Sequence, residues 1–186
     1  MINDISLIKY SFRFKSLSLT QKITFALGMA CLTGALAQVR FYLPFSPVPV
    51  TGQVFGVLLS GVICGSIYGS LSQLIYVILG LSGISWFTFA NASWYSLLTA
   101  PTAGYLLGFI IAPLIIGKSI ETNDPISKIK YMVFGMGIIY LFGVLILKIV
   151  LNISLLNAIA IGVIPFIGVD LLKASVATGV AMLIRS

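Results

Sequence analysis

The residues best placed to do chemistry lie in one short run, PFIGVDLLKA at 165–174. Asp170 and Lys173 stand three positions apart in it. That spacing puts both on one helix face, within reach of each other. Pro165 suits a helix start, where its fixed φ and missing N–H are tolerated. At about 1.5 Å per residue, the pair sits roughly 6–10 Å in from that start. Two kinds of role fit. The pair can be a structural ion pair that pins its helix to a neighbour, although buried pairs seldom stabilise a fold outright. It can also anchor a small ligand, with Lys173 meeting a carboxylate and Asp170 accepting from N–H groups.

Uncharged polar and aromatic residues are available to complete a pocket: Gln38, Thr51 and Gln53, then Asn91, Ser93, Trp94 and Tyr95, then Tyr105 and Tyr140. Apolar and aromatic walls with a few polar anchors are how small organic ligands are usually held. Each residue also has a plainer reading. Trp and Tyr near the ends of membrane spans commonly anchor at the interface, and Asn91 can serve loop backbone.

The elements that must position these residues are membrane spans. Of 186 residues, 59% are apolar and only 8% charged, against about a quarter charged in a soluble domain. A soluble enzyme is excluded. There is no His, which removes imidazole catalysis and most imidazole metal sites. Cys31 and Cys64 lie in apolar runs and form neither a CxxC motif nor a disulfide framework. No cofactor and no metal is expected. The net charge of +7 does not indicate nucleic acid, because no charged residue occurs between Arg40 and Lys118. The basic residues cluster beside apolar runs, as juxtamembrane charge does.

The expected fold is an all-α membrane protein with six transmembrane helices, at about 22–38, 53–68, 69–81, 102–117, 131–151 and 166–184. Its apolar runs do not alternate as barrel strands would. Residues 1–21 are read as a cytoplasmic interfacial segment and 22–186 as a single transmembrane domain. Ile2, Ile5, Ile8 and Phe12 have the spacing of a short interfacial helix, and no signal-peptide pattern precedes residue 22. Pro44, Pro47 and Pro49 make 39–52 a stiff extended loop. The 81–101 stretch is aromatic and polar at once, and 118–130 reads as an ordinary solvated loop.

Eight cations (Lys9, Arg13, Lys15, Lys22, Lys118, Lys128, Lys130 and Arg185) fall on the side of the termini, against Arg40 and Lys148 on the other. The positive-inside rule therefore puts both termini in the cytoplasm. The proline loop, the aromatic loop and the start of the last span then converge on the outer side. In the first span, Ala26, Ala30 and Gly34 form a line of small residues. Such a line lets another helix approach closely, whether inside the molecule or in a partner subunit. No GxxxxGK[ST] loop is present, so an ATPase would have to be another protein. Besides a binding subunit, the residues allow a stand-alone proton-coupled carrier in which Asp170 titrates, or a scaffold in which the pair is structural.

The runs AQVRFYLPFSPVPVTGQVFGVLLSGVICG (37–65), APTAGYLLGF (100–109), YLFGVL (140–145) and GVIPFIGVDLLKA (162–174) resemble the BioY family. These are the biotin-binding S components of energy-coupling factor (ECF) transporters. The likeness covers nearly the whole chain beyond residue 22. It implies the six-helix S-component fold and capture of biotin from outside. Transport would need a transmembrane T component and ABC-type ATPase subunits, within membrane lipid. It places Asp170 and Lys173 on the family's ligand-contacting acid and lysine, Gln53 on its glutamine, and Tyr105 and Tyr140 on cavity positions. Asn91 can replace a family polar anchor. The line Ala26, Ala30, Gly34 resembles the surface by which S components dock on the T component. The chain departs from the family where FTFANASWYSLL replaces a Gly-rich stretch, and in the Ala100–Tyr105 motif. The chemistry of biotin is consistent with this set. Asp170 can accept from the ureido N–H groups, and Lys173 can balance the tail carboxylate or hold Asp170. Trp86, Phe87, Phe89 and Trp94 can pack the apolar ring.

Overall fold

In the computed structural model, which describes residues 14–87, 95 and 99–184, the chain is almost entirely helical. Helix α1 spans Leu19–Leu36. Ser18 opens it: its hydroxyl accepts from the Gln21 amide while the Gln21 side chain accepts from the Ser18 N–H. This reciprocal pair satisfies two donors that a helix start leaves orphaned. Two short strands follow, β1 (Arg40–Phe41) and β2 (Val50–Thr51), paired antiparallel with Arg40 opposite Thr51. They close the proline loop into a small ribbon.

Helix α2 covers Gln53–Leu81 but is not straight. Gly65 has φ 73 and ψ −172, a region essentially only glycine occupies. A continuous helix would hold Ser60 and Gly69 about 13 Å apart. Instead the Ser60 hydroxyl lies 3.5 Å from the Gly69 carbonyl oxygen, and Gln53 bonds to Tyr76. The arms 53–64 and 66–81 therefore run side by side in opposite directions. The expected boundary at 68/69 moves to Gly65 because Gly61, Gly65 and Gly69 look alike in sequence and only one adopts positive φ.

Beyond lie α3 (Ala103–Ile116), a 3₁₀ turn (Gly117–Glu121), α4 (Pro125–Leu151), α5 (Leu155–Gly162), a second 3₁₀ turn (Ile164–Phe166) and α6 (Ile167–Leu183). Two of these correct the sequence reading. Helix α4 begins within the stretch expected to be a solvated loop. Asp124 caps it by accepting from the Ile126 and Ser127 N–H groups, with Pro125 in the first turn. Hydrogen bonds from the Ser127 side chain and backbone hold the Asp124 carboxyl below its ordinary pKa. Lys128 is consequently not solvated but buried, donating to the carbonyls of Ser119 and Ala181. Helix α5 was not expected as an element; Ser154 caps it by accepting from the Asn157 N–H.

Among the described residues, five helical stretches are long and apolar enough to cross a membrane: Leu19–Leu36, Gln53–Leu81, Ala103–Glu121, Pro125–Leu151 and Leu155–Leu183. Helix α1 packs on α2, α2 on α3, α3 on α4, and α6 on both α2 and α4. Large apolar side chains such as Ile67, Phe134, Ile149 and Leu172 cover the outside, which suits a lipid solvent and not water. One end of the bundle gathers the Gly65 turn, the start of α4 and the end of α6, with Gly117 packed hard on Ser66. The opposite end gathers the ribbon, residues 82–87 and the start of α3. The expected interfacial helix in the N-terminal segment lies outside the described residues.

Candidate functional site

The site is built where helix regularity fails. Pro165 has no N–H to give, so the Ile161 carbonyl loses its helical donor. Phe166 gives its N–H to Val163, at 2.9 Å, and so leaves the Gly162 carbonyl open as well. Two side chains from other elements take these acceptors. The Ser46 hydroxyl, from the proline loop, donates to the Ile161 carbonyl at 2.7 Å. The Tyr105 hydroxyl, from α3, donates to the Gly162 carbonyl at 2.7 Å. The break before α6 is thereby clamped between the ribbon and α3.

One helical turn further on, Asp170 and Lys173 meet at 2.7 Å. Asp170 is 3% exposed, so its charge needs partners. Its Oδ2 accepts from the Tyr140 hydroxyl of α4 at 2.6 Å, and Oδ1 accepts from Lys173. Lys173 also donates to the Thr51 carbonyl at 2.7 Å, which ties α6 to the ribbon. From there the Thr51 hydroxyl donates to Gln53 Oε1, and Gln53 Nε2 donates to the Tyr76 hydroxyl. A continuous line of hydrogen bonds thus runs from Tyr140 to Tyr76 through four separate elements. The donor inventory leaves one Lys173 N–H, one Gln53 N–H and lone pairs on Asp170 unused by these bonds.

These groups edge a cavity of about 540 Å³, its open mouth included. Its apolar walls come from Val48, Val54, Phe87, Leu106, Phe109 and Phe166. Asp170, Lys173, Gln53, Tyr105 and Tyr140 all line it, as do Thr51 and Thr102. The Tyr105 hydroxyl spends its proton on the Gly162 carbonyl and so has no O–H left to donate to a ligand. Asn91, Ser93, Trp94 and Phe89 lie outside the described residues. Tyr95 is exposed. Gln38 is turned elsewhere, donating to the carbonyls of Gly34 and Trp86 and accepting from Arg40. Phe87 reaches the cavity, but Trp86 does not. Sequence reasoning missed Ser46 and Tyr76, whose roles depend on long-range contacts. The proline gap at Pro165 was a usable signal that some donor must reach Ile161.

The small-residue line of α1 requires a correction. Ala26 and Ala30 have no exposed surface, and Gly34 is buried against Trp86. Their face packs within the molecule, chiefly on α2, so it is not a surface on which a partner can dock. Among the small residues that α1 exposes, Thr24, Gly28, Cys31 and Ala35 lie on the opposite side.

Comparison with known proteins gives a consistent result. A model of the BioY family matches residues 8–186. The chain is 38% identical over 145 residues to a biotin transporter BioY of Thermotoga maritima, covering 77% of this chain and 84% of that one. It is 38% identical over 152 residues to a probable biotin transporter BioY of Pyrococcus horikoshii, covering 81% and 87%. The crystal structure of the S component for biotin from an ECF-type ABC transporter superposes with a TM-score of 0.81 at 24% identity, over 91% of this chain and 95% of that one. That likeness shows a shared S-component fold.

Proposed function

The chain belongs to the BioY family, and from that premise we propose that it is the biotin-capturing S component of an ECF-type vitamin uptake transporter. The cavity carries the proposal: it joins a buried, paired carboxylate to neutral donors and apolar rings in one open-mouthed space. Biotin offers two ureido N–H groups, one carbonyl, an apolar sulfur ring and a carboxylate tail. Asp170 accepts from the ureido N–H groups with the lone pairs that Tyr140 and Lys173 leave. Gln53 gives its remaining N–H to the ureido carbonyl. Lys173 holds Asp170 and the ribbon together, and its third N–H faces the tail. Asn91 is an additional polar anchor. The rings of Tyr105, Phe87 and Phe166 pack on the sulfur ring.

Counting the two arms of α2 separately gives six passes. The Lys and Arg asymmetry then puts both termini in the cytoplasm and the cavity mouth outside. Biotin is taken up from that side. A T component and ABC-type ATPase subunits supply the energised step, since this chain has no phosphate-binding loop. A partner approaching α1 meets Gly28, Cys31 and Ala35, not the buried line. Family membership favours capture over a stand-alone proton-coupled carrier. Proteoliposomes test this. Biotin binding without uptake until partner subunits are added supports capture. Uptake by the chain alone that follows a proton gradient supports the carrier instead.

A further inference from the structure

The two aromatic residues at 86 and 87 point in different directions, and each fills a socket made by a glycine. The Trp86 ring lies on Gly34 of α1, where an added Cβ would stand 2.7 Å from Cδ2 and 2.8 Å from Cζ3. Its Nε1 donates to the Tyr76 carbonyl at 3.2 Å, and its ring tilts against that of Tyr76 at 5.1 Å. Phe87 covers Gly80, where an added Cβ would stand 2.6 Å from Cε1, and meets the Tyr76 ring edge-on at 5.5 Å. Phe87 is the one that forms cavity wall. The intervening backbone is tied as well: Gln38 donates to the Trp86 carbonyl and Arg40 to the Phe87 carbonyl. Every one of these ties except the Phe87 ring itself lies outside the cavity. The placement of one wall therefore depends on a plug seated in α1.

We propose that Trp86 is a positioning residue for ligand capture: seated at Gly34, it holds Phe87 on the cavity wall, so that the shape of the ligand site depends on a contact with α1. The inference rests on the reading that the cavity captures biotin. Neither Gly34 nor Trp86 touches that cavity, so an effect of either on affinity is transmitted through neighbours that do: Phe87, and Gln53 by way of Tyr76. Overpacking at Gly34 would also lower stability, and the test must separate the two effects.

The sequence has two tryptophans, so Trp94→Phe leaves Trp86 as the sole emitter. The emission of Gly34→Ala is read in that background, while Gly34→Ala, Trp86→Leu and their combination are titrated with biotin in detergent in the otherwise unchanged chain as parent, beside Gly135→Ala. The last is a matched overpacking control, since a Cβ there would stand 2.6 Å from Ile116 Cδ1. Gly34→Ala is expected to shift Trp86 emission to the red and to weaken biotin binding at least tenfold in the folded fraction. Gly135→Ala is expected to stay within twofold of the parent. Trp86→Leu alone weakens binding comparably, and adding Gly34→Ala to it weakens binding less than threefold further. Binding by Gly34→Ala within twofold of the parent, or an equal loss in Gly135→Ala, would overturn the proposal while leaving the capture reading intact. No binding by the parent itself would overturn the capture reading.

Discussion

Replacing Asp170 by Asn keeps the shape of the side chain and removes its charge. Asp170 has two bonds to lose, from Tyr140 at 2.6 Å and from Lys173 at 2.7 Å. The amide retains one acceptor oxygen, so one bond survives and an NH₂ group faces a donor. Hydrogen bonds to a charged group contribute about 1.5–3 kcal/mol each. One lost contact of that kind to a ureido N–H corresponds to roughly ten- to hundredfold weaker biotin binding. A loss of similar size in folding stability is expected, because Lys173 loses its ion-pair partner whichever bond the amide oxygen keeps. Lys173 is 15% exposed at its side chain, which leaves water able to soften that second loss. Calorimetric titration and a thermal melt on one preparation measure both terms. A variant that melts early yet binds biotin within threefold of the parent in its folded fraction would refute the ligand role and leave a structural ion pair.

Three further outcomes follow from the packing. Ala30→Trp inserts bulk where no surface is exposed, so folded yield and biotin binding should fall together, at a cost of about 1–3 kcal/mol or more; a well-folded variant that binds biotin and fails only to co-purify with a T component would restore the docking reading of that face. Lys128→Met removes the donor that reaches the Ser119 and Ala181 carbonyls, and should lower the melting temperature, at about 1–3 kcal/mol per carbonyl left unsatisfied, without changing biotin affinity, because it sits at the end remote from the cavity. Tyr105→Phe keeps the ring on the cavity and frees the Gly162 carbonyl, so stability should drop by about 1–3 kcal/mol while affinity in the folded fraction changes less than threefold.

How far the sequence could be read depended on whether a signal was local. Asp170 was legible because it is the only acid in an expected span, and Lys173 because a three-residue spacing is a property of one helix. Gln53 and Thr51 followed from their place after the prolines. The start of α4 was misplaced because charge suggested solvent, although Asp124-Pro125 is itself a capping signal. The orientation of α1 was not legible. It is apolar on nearly every side, and Ala26, Ala30 and Gly34 are matched by Gly28, Cys31 and Ala35 across the helix. Only tertiary packing chooses between the two lines. Trp86 and Phe87 are likewise equivalent as apolar rings. Their different destinations depend on Gly34, far back in the chain on α1, and on Gly80, near the end of α2.

The central claim is that this chain, without partners, captures biotin in the cavity edged by Asp170, Lys173 and Gln53. An isothermal titration of the purified protein in detergent with biotin tests it most directly. Saturable binding is expected at one ligand per chain, with a negative heat-capacity change from burial of the ring system against apolar walls. Monodisperse, folded protein that gives no saturable heat, and retains no labelled biotin on gel filtration, would contradict it.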